Sequence, residues 1–476
     1  MLFNTVDFAV FFPIVFLLYW FVFNKSVWSQ NGFLILCSYF FYACWDWRFL
    51  GLIFFSSAVD FTVGKFLKNE TRQSHRKAAL LVSLLVNLGT LGFFKYYNFF
   101  IENFQQVFVL FGKTLEPATL QILLPVGISF YTFQTLSYTI DVYLKKIEPT
   151  NNGLAFFAFV SFFPQLVAGP IERASNLLPQ FLNSRTFKYH KATTGLKLIV
   201  IGLFKKMVIA DNCALVVNEI FSNYQNHSGS TLLMGAVFFA FQIYGDFSGY
   251  SDIAIGTAKL LGFDLMKNFN LPYLSRNLRE FWSRWHISLS TWFRDYVYIP
   301  LGGNRGSKTQ VIRNLFIVFL LSGLWHGANW TFVIWGFIHA VFIILPILFN
   351  RQTNYNHVAN LGRVFPTLTT AFSIAGTFLI VTLAWVFFRA ETVTHALLYL
   401  QGIANRSLFT MPAVSKGFLL VLLGYMCVEW VQRDKKHLLI MPCIPYKPLR
   451  IFIYYLLVFC ILYFAADAQP FIYFQF

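Results

Sequence analysis

Twelve apolar stretches constrain this chain more than any other feature of its sequence. They run approximately over 8–23, 31–45, 49–63, 78–97, 119–141, 195–217, 231–250, 314–326, 329–349, 368–388, 414–432 and 451–467. A bilayer span takes about 20 apolar residues, so several of these cross only by tilting or with support from neighbours. Charged residues make up 12% of the 476, about half the roughly 25% of a soluble domain. The expectation is an all-α polytopic membrane protein of about 11–12 transmembrane helices forming one integral-membrane domain. Its spans group as 1–120, a core over 121–350 and a C-terminal set over 351–476. The 60 phenylalanines exclude a disordered chain. Six cysteines without a CxxC pair give no support to a disulfide scaffold, thiol redox chemistry or a metal site. The opening MLFNTVDFAVFFPIVF carries an acid, lacks a basic lead and an A-x-A site, and reads as the first span rather than a cleaved signal.

The net charge of +17 would suggest nucleic acid in a soluble protein. In a membrane protein it reflects basic residues gathered in cytoplasmic loops, and no nucleic-acid module is visible. The 64–77 segment holds Lys65, Lys68, Arg72, Arg76 and Lys77 against Glu70, which places it in the cytoplasm and the N-terminus outside. Lys145 and Lys146 end one span on the cytoplasmic side, and Arg185, Lys188, Lys191 and Lys197 open the next from the same side. Only the apolar 153–170 lies between them, interrupted by Pro164, Gly169 and Pro170. It is therefore expected to enter the membrane and turn back. Irregular backbone at that depth is tolerated only inside protein or along a wet cavity. The 231–263 stretch poses the same problem and is expected to be one crossing plus a broken piece, the break falling at Gly245-Asp246-Phe247-Ser248-Gly249.

Two histidines stand out chemically. Between Arg313 and Arg351 there is no Asp, Glu, Lys or Arg, yet His326 and His339 lie there. A helix entering near residue 314 carries His326 roughly 18 Å into a core of about 30 Å. An ionisable group at that depth faces a cavity or a partner. Its setting, GLWHGANW, has two glycines that permit a break and Asn329 as a polar neighbour. Either a reacting imidazole or a neutral histidine satisfied by a carbonyl fits the position; His339, with no polar company, is assigned to packing. His75, His190, His227, His357, His395 and His437 fall in or beside predicted loops. The second candidate, His286, lies in YLSRNLREFWSRWHISLSTWFRDYVYIP (273–300), where Trp282, His286, Leu289 and Phe293 recur at helical spacing. Seven basic residues, Arg276, Arg279, Arg284, Arg294, Arg305, Lys308 and Arg313, outnumber Glu280 and Asp295 here. They form either a topology anchor or a docking surface for the phosphates of an anionic donor. Asp246 and Asp252 suit capped ends at a bend, and Glu172 and Arg173 either line the cavity or pair with each other.

The segments GPIERASNLLPQF (169–181), YGDFSGYSDIAIGTAKLLGF (244–263), PYLSRNLREFWSRWHISLSTWFRDYVYIPLGGNRG (272–306) and LSGLWHGANWTFVIWG (321–336), with the terminal PFIYFQF, resemble the membrane-bound O-acyltransferase (MBOAT) family. The likeness is to its bacterial alginate and peptidoglycan O-acetylation branch. It covers most of the chain from 125 onward; the first 120 residues match only in hydropathy. The resemblance implies an all-helical ring with re-entrant pieces around a central funnel, where a cytoplasmic donor tunnel meets an extracytoplasmic opening. The family's catalytic histidine maps onto His326 and its second motif histidine onto His286. Implied with these are a location in the bacterial cytoplasmic (inner) membrane and acetyl transfer from acetyl-CoA or an acyl-carrier thioester, with no permanently bound cofactor. The acceptor is an extracytoplasmic polysaccharide, served through a periplasmic SGNH-type transferase partner. Arg276, Arg279, Arg284 and Arg294 are the candidates for holding the donor. The alternatives are D-alanyl transfer to teichoic acid, and a transporter that passes an intact acylated molecule.

Overall fold

A computed structural model describes residues 1–112, 119–349, 363–434, 446–464 and 469–472. The described residues are helical with no strand. Five helical stretches among them are long and apolar enough to cross a membrane: Val27–Asn69, Gln73–Val109, Gly229–Leu260, Trp330–Leu348 and Leu368–Arg389. The other predicted spans form helices that are shorter or more polar. Lys308–His326 carries two cations in its first two turns, and Lys416–Val431 and Lys447–Tyr463 cover most of the predicted 414–432 and 451–467. Residues 465–467, with His357, His437, Cys443 and the last four residues of PFIYFQF, lie outside the described residues. The chain forms two compact units, Met1–Leu196 with Ala254–Met266, and Lys197–Ile253 with Lys267–Phe476.

In the first unit the helix Ile128–Tyr143 is buried almost all round although half its residues are polar. Its polar groups find partners in the surrounding helices. Thr139 donates to Asp60 at 3.0 Å, and Gln134 donates to the Phe159 carbonyl at 2.8 Å. Asp60, wholly buried, also accepts from Ser83 and from Asn87. The span predicted from residue 119 becomes helical only at Ile128, because Gly127 is left-handed (φ 75°) and sits so close to the chain that a Cβ would lie 2.6 Å from the Leu166 carbonyl oxygen. The expected interruption in 153–170 is present. Helix Gly153–Ser161 stops where Phe162 turns to ψ 105°, a short helix Phe163–Leu166 follows, and residues 158–172 are buried. Ser38 accepts the Phe163 amide at 3.1 Å, so the broken backbone is satisfied within protein.

Two sequence expectations fail in the second unit. Gly229–Leu260 is one uninterrupted helix, with no break at 245–249. The glycines there serve close packing instead: a Cβ on Gly249 would lie 2.7 Å from the Gly202 carbonyl oxygen, and one on Gly202 lies 2.5 Å from that of Gly249. Residues 273–300 are likewise several short helices rather than one, Leu278–Trp282, Ile287–Phe293 and the wider turn Arg294–Tyr298. Asn277 starts the first by accepting the Glu280 amide at 2.8 Å, and His286 interrupts the helical path with left-handed backbone (φ 42°, ψ 55°). The pattern of apolar residues at helical spacing was therefore produced by two helices in sequence.

Candidate active site

His326 is the last residue of helix Lys308–His326, which Ser307 and Gln310 start with a capping box. Gly327 is extended, and Asn329 opens helix Trp330–Leu348 by accepting the Thr331 amide at 3.0 Å. The break at GLWHGANW is thus where the glycines allowed it. Asn329, expected as a polar neighbour of His326, instead caps the second helix and donates to the Glu391 carbonyl at 2.9 Å. The two helices pack closely because a Cβ on Gly323 or Gly336 would fall 2.3 Å from the Phe332 or Phe319 carbonyl oxygen, respectively. His326 is 2% exposed. Its ring meets Trp325, Trp335 and Phe388 edge to face, with centroids 5.0, 5.1 and 5.2 Å away, and Trp335 stacks on Trp385 at 5.4 Å.

His286 is fully buried and packs against the same aromatic group, its ring 5.9 Å from Trp325 and 4.6 Å from Phe247. The two candidate histidines thus share contact with one indole. Its Nδ1 lies 3.2 Å from Asn268 Oδ1, which also accepts from the Ser288 hydroxyl at 2.9 Å and the Ser288 amide at 3.2 Å. Asn268 passed unnoticed in the sequence, where neither of the two asparagines in KNFNLPY carries a signal of depth. His339, assigned to packing, is buried against Trp335 and Trp282 and accepts the Trp282 indole N–H at 3.3 Å.

The four arginines separate into two sets. Arg276 and Arg284 both bind buried Glu280, at 3.0 and 2.7 Å, so much of their charge is already matched. Arg279 and Arg294 are exposed, and Arg294 sits 2.8 Å from Asp295. Arg294 and Tyr298 line a mainly apolar cavity of about 190 Å³ together with Trp282, Leu289, Phe319 and Ser322. Ser322 is one helical turn before His326.

Two of the acids resolve differently from their sequence readings. Asp246 and Asp252 cap no helix ends. Asp252 pairs with Lys205 at 2.8 Å, and Lys206 bridges Asp246 and Asp211, each at 2.8 Å. Asp246 also accepts the Ile472 amide at 2.6 Å, and Lys206 donates to the Gln469 carbonyl at 3.0 Å, which ties down the C-terminal segment. Phe471 then packs on Tyr250 and Phe247, the residue whose ring abuts His286. Lys205 and Lys206 were missed, although two lysines inside an apolar stretch were a visible signal. Glu172 accepts from the Met266 amide and, at 2.6 Å, from Asn176. Gln180 bonds both the amide and the carbonyl of Asp264, at 2.8 and 2.9 Å. Partial burial would raise the Asp264 pKa, but Lys191 and Lys259 outweigh it and hold the carboxyl below the ordinary carboxylate range. The GPIERASNLLPQF segment therefore anchors the loop that leads directly into Asn268.

The sequence pattern of the membrane-bound O-acyltransferase family matches residues 147–386, a region that holds both histidines. The chain belongs to this family. It is similar to the probable alginate O-acetylase AlgI of Pseudomonas aeruginosa, 42% identical over 371 residues, 77% of this chain and 68% of that protein. The peptidoglycan O-acetyltransferase of Helicobacter pylori is 36% identical over 445 residues, 87% of this chain and 82% of its own. The teichoic acid D-alanyltransferase of Bacillus subtilis is 30% identical over 288 residues, 56% and 69% of the two chains. This MBOAT protein is accordingly a multi-pass membrane O-acyltransferase, and the transporter reading falls away.

Proposed function

We propose that this MBOAT protein takes an acetyl group from a cytoplasmic thioester, acetyl-CoA or an acyl carrier, and delivers it across the bacterial inner membrane for O-acetylation of an extracytoplasmic polysaccharide. The observation that carries the reading is that His326 and His286 both pack against Trp325. Similarity over most of the chain to proteins named for alginate and peptidoglycan O-acetylation favours acetyl over D-alanyl as the group moved. An imidazole near neutrality takes the proton of an acceptor hydroxyl as that oxygen bonds to the acyl carbon; the C–S bond breaks, and the proton passes to the departing sulfur. His326 is assigned this general-base step, with His286 beside it. The apolar cavity lined by Arg294 and Ser322 suits the pantetheine arm of a thioester donor. Arg279 and Arg294 would meet its phosphates, and Arg276 and Arg284 add only what Glu280 leaves uncompensated. No metal or bound cofactor is needed for this chemistry. Final transfer to alginate-like polymer or peptidoglycan is assigned to a periplasmic SGNH-type partner.

His326→Ala is expected to abolish polymer acetylation while the protein still accumulates in the membrane, read by acetyl release from purified polymer and by immunoblot. Wild-type acetylation in that variant would remove His326 from the mechanism. Purified protein supplied with its partner and with labelled acetyl-CoA or a D-alanyl carrier thioester separates the donors: cleavage of the acetyl thioester alone is expected, and cleavage of the D-alanyl thioester alone would assign the teichoic acid reaction.

A further inference from the structure

Asn268 is wholly buried, and its orientation is decided by its neighbours. The Ser288 backbone N–H can only donate, and it points at Oδ1 from 3.2 Å, so the atom facing His286 is the amide oxygen. The nitrogen end donates to Ser251 Oγ at 3.2 Å, and the Asn268 carbonyl accepts the Ile287 amide at 2.9 Å. His286 Nδ1 lies 3.2 Å from that oxygen. A carbonyl oxygen accepts only, so the contact is a hydrogen bond when Nδ1 carries the hydrogen. The other tautomer would set two lone pairs against each other at 3.2 Å and turn Nδ1 to the longer 3.4 Å contact with Ser288 Oγ. That hydroxyl is already turned to Asn268, at 2.9 Å.

We infer that Asn268 is a positioning residue that locks His286 as the Nδ1–H tautomer, so that its Nε2 serves as a proton acceptor and not as a hydrogen-bond donor to the thioester carbonyl. The inference rests on the reading of His286 as part of the reacting pair and narrows its role. His326 takes the hydroxyl proton as the oxygen bonds to the acyl carbon, and when that proton is relayed to Nε2 the His286 imidazolium keeps its Nδ1–H on Asn268 Oδ1. The proton then leaves Nε2 for the sulfur released from the broken C–S bond. A neutral amide here supports the ring's direction and tautomer without adding a second buried charge.

The test uses full-length protein with 15N-labelled histidine in lipid bilayers, examined by solid-state 15N NMR, with the His286 signals identified by their loss in H286Q. Protonated Nδ1 with bare Nε2 is expected; a His286 signal protonated at Nε2 overturns the inference without any further variant. Asn268→Leu should shift His286 away from the Nδ1–H form and lower acetylation on the order of 10- to 100-fold. Asn268→Asp, which keeps an acceptor, should retain the tautomer and more of the activity. Retention of Nδ1–H in Asn268→Leu overturns the assignment to Asn268. Wild-type acetylation by His286→Ala overturns the chemical role of His286, while the spectrum of the unsubstituted protein still decides the tautomer.

Discussion

Glu280 binds two arginines at once, and that arrangement shows how far a residue's partners can redirect a sequence reading. Arg276 and Arg284 were candidates for gripping a donor's phosphates, yet each lies one helical turn from Glu280 and closes on it. Removing one member of a buried charge group leaves the others uncompensated, at a cost of about 3–5 kcal/mol. Glu280→Ala is therefore expected to lower stability by about 3 kcal/mol, measured by unfolding in detergent micelles. Unchanged stability would show that the arginines are satisfied elsewhere. His286 and His339 illustrate the same dependence on partners. Both are buried histidines of the second unit, but Asn268 oxygen faces Nδ1 of one and the Trp282 N–H faces Nδ1 of the other. Nothing in the sequence around either histidine states which nitrogen carries the hydrogen.

At the scale of elements, glycines were the residues most open to misreading. In GLWHGANW a break was expected and is present, at Gly327. In YGDFSGY at 244–250 a break was expected and the helix runs through, because Gly245 and Gly249 are used for contact with the 202–210 segment. The local composition of the two places is alike; only the partner helix differs. Gly323→Ala tests the packing use directly. Its Cβ would fall 2.3 Å from the Phe332 carbonyl oxygen, which forces the hairpin carrying His326 apart at a cost of about 1–3 kcal/mol. Loss of both thermal stability and acetylation is expected, and a variant with wild-type values for both would show that the helices yield without disturbing His326. The helices themselves were legible, because hydropathy identifies long apolar runs whatever they pack against. Their ends were less so: the helix predicted from 119 starts at Ile128 because of a close backbone approach at Gly127.

For the whole molecule, the distribution of lysine and arginine predicts topology through the interfacial rule. Arg72, exposed in the loop between Leu50–Asn69 and Gln73–Leu91, belongs to the segment assigned to the cytoplasm. In a cysteine-free background, Arg72→Cys is expected to resist a membrane-impermeant maleimide in intact spheroplasts and to react once the membrane is opened. Labelling from outside would invert the orientation and with it the direction of acyl transfer. What the sequence alone determined is the solvent and the chemistry on offer: a chain with 12% charge and 60 phenylalanines must live in lipid, and His326 and His286 carry the motifs of an acyltransferase. What only the tertiary structure decided is which groups meet. The sharing of Trp325 by two histidines, the hold of Asn268 on His286, and the ion pairs of Lys205 and Lys206 join segments distant in the chain. Hydropathy and periodicity follow from each residue's own affinity for water and its place along one helix, whereas a buried polar atom is satisfied by whatever the fold brings within about 3 Å of it.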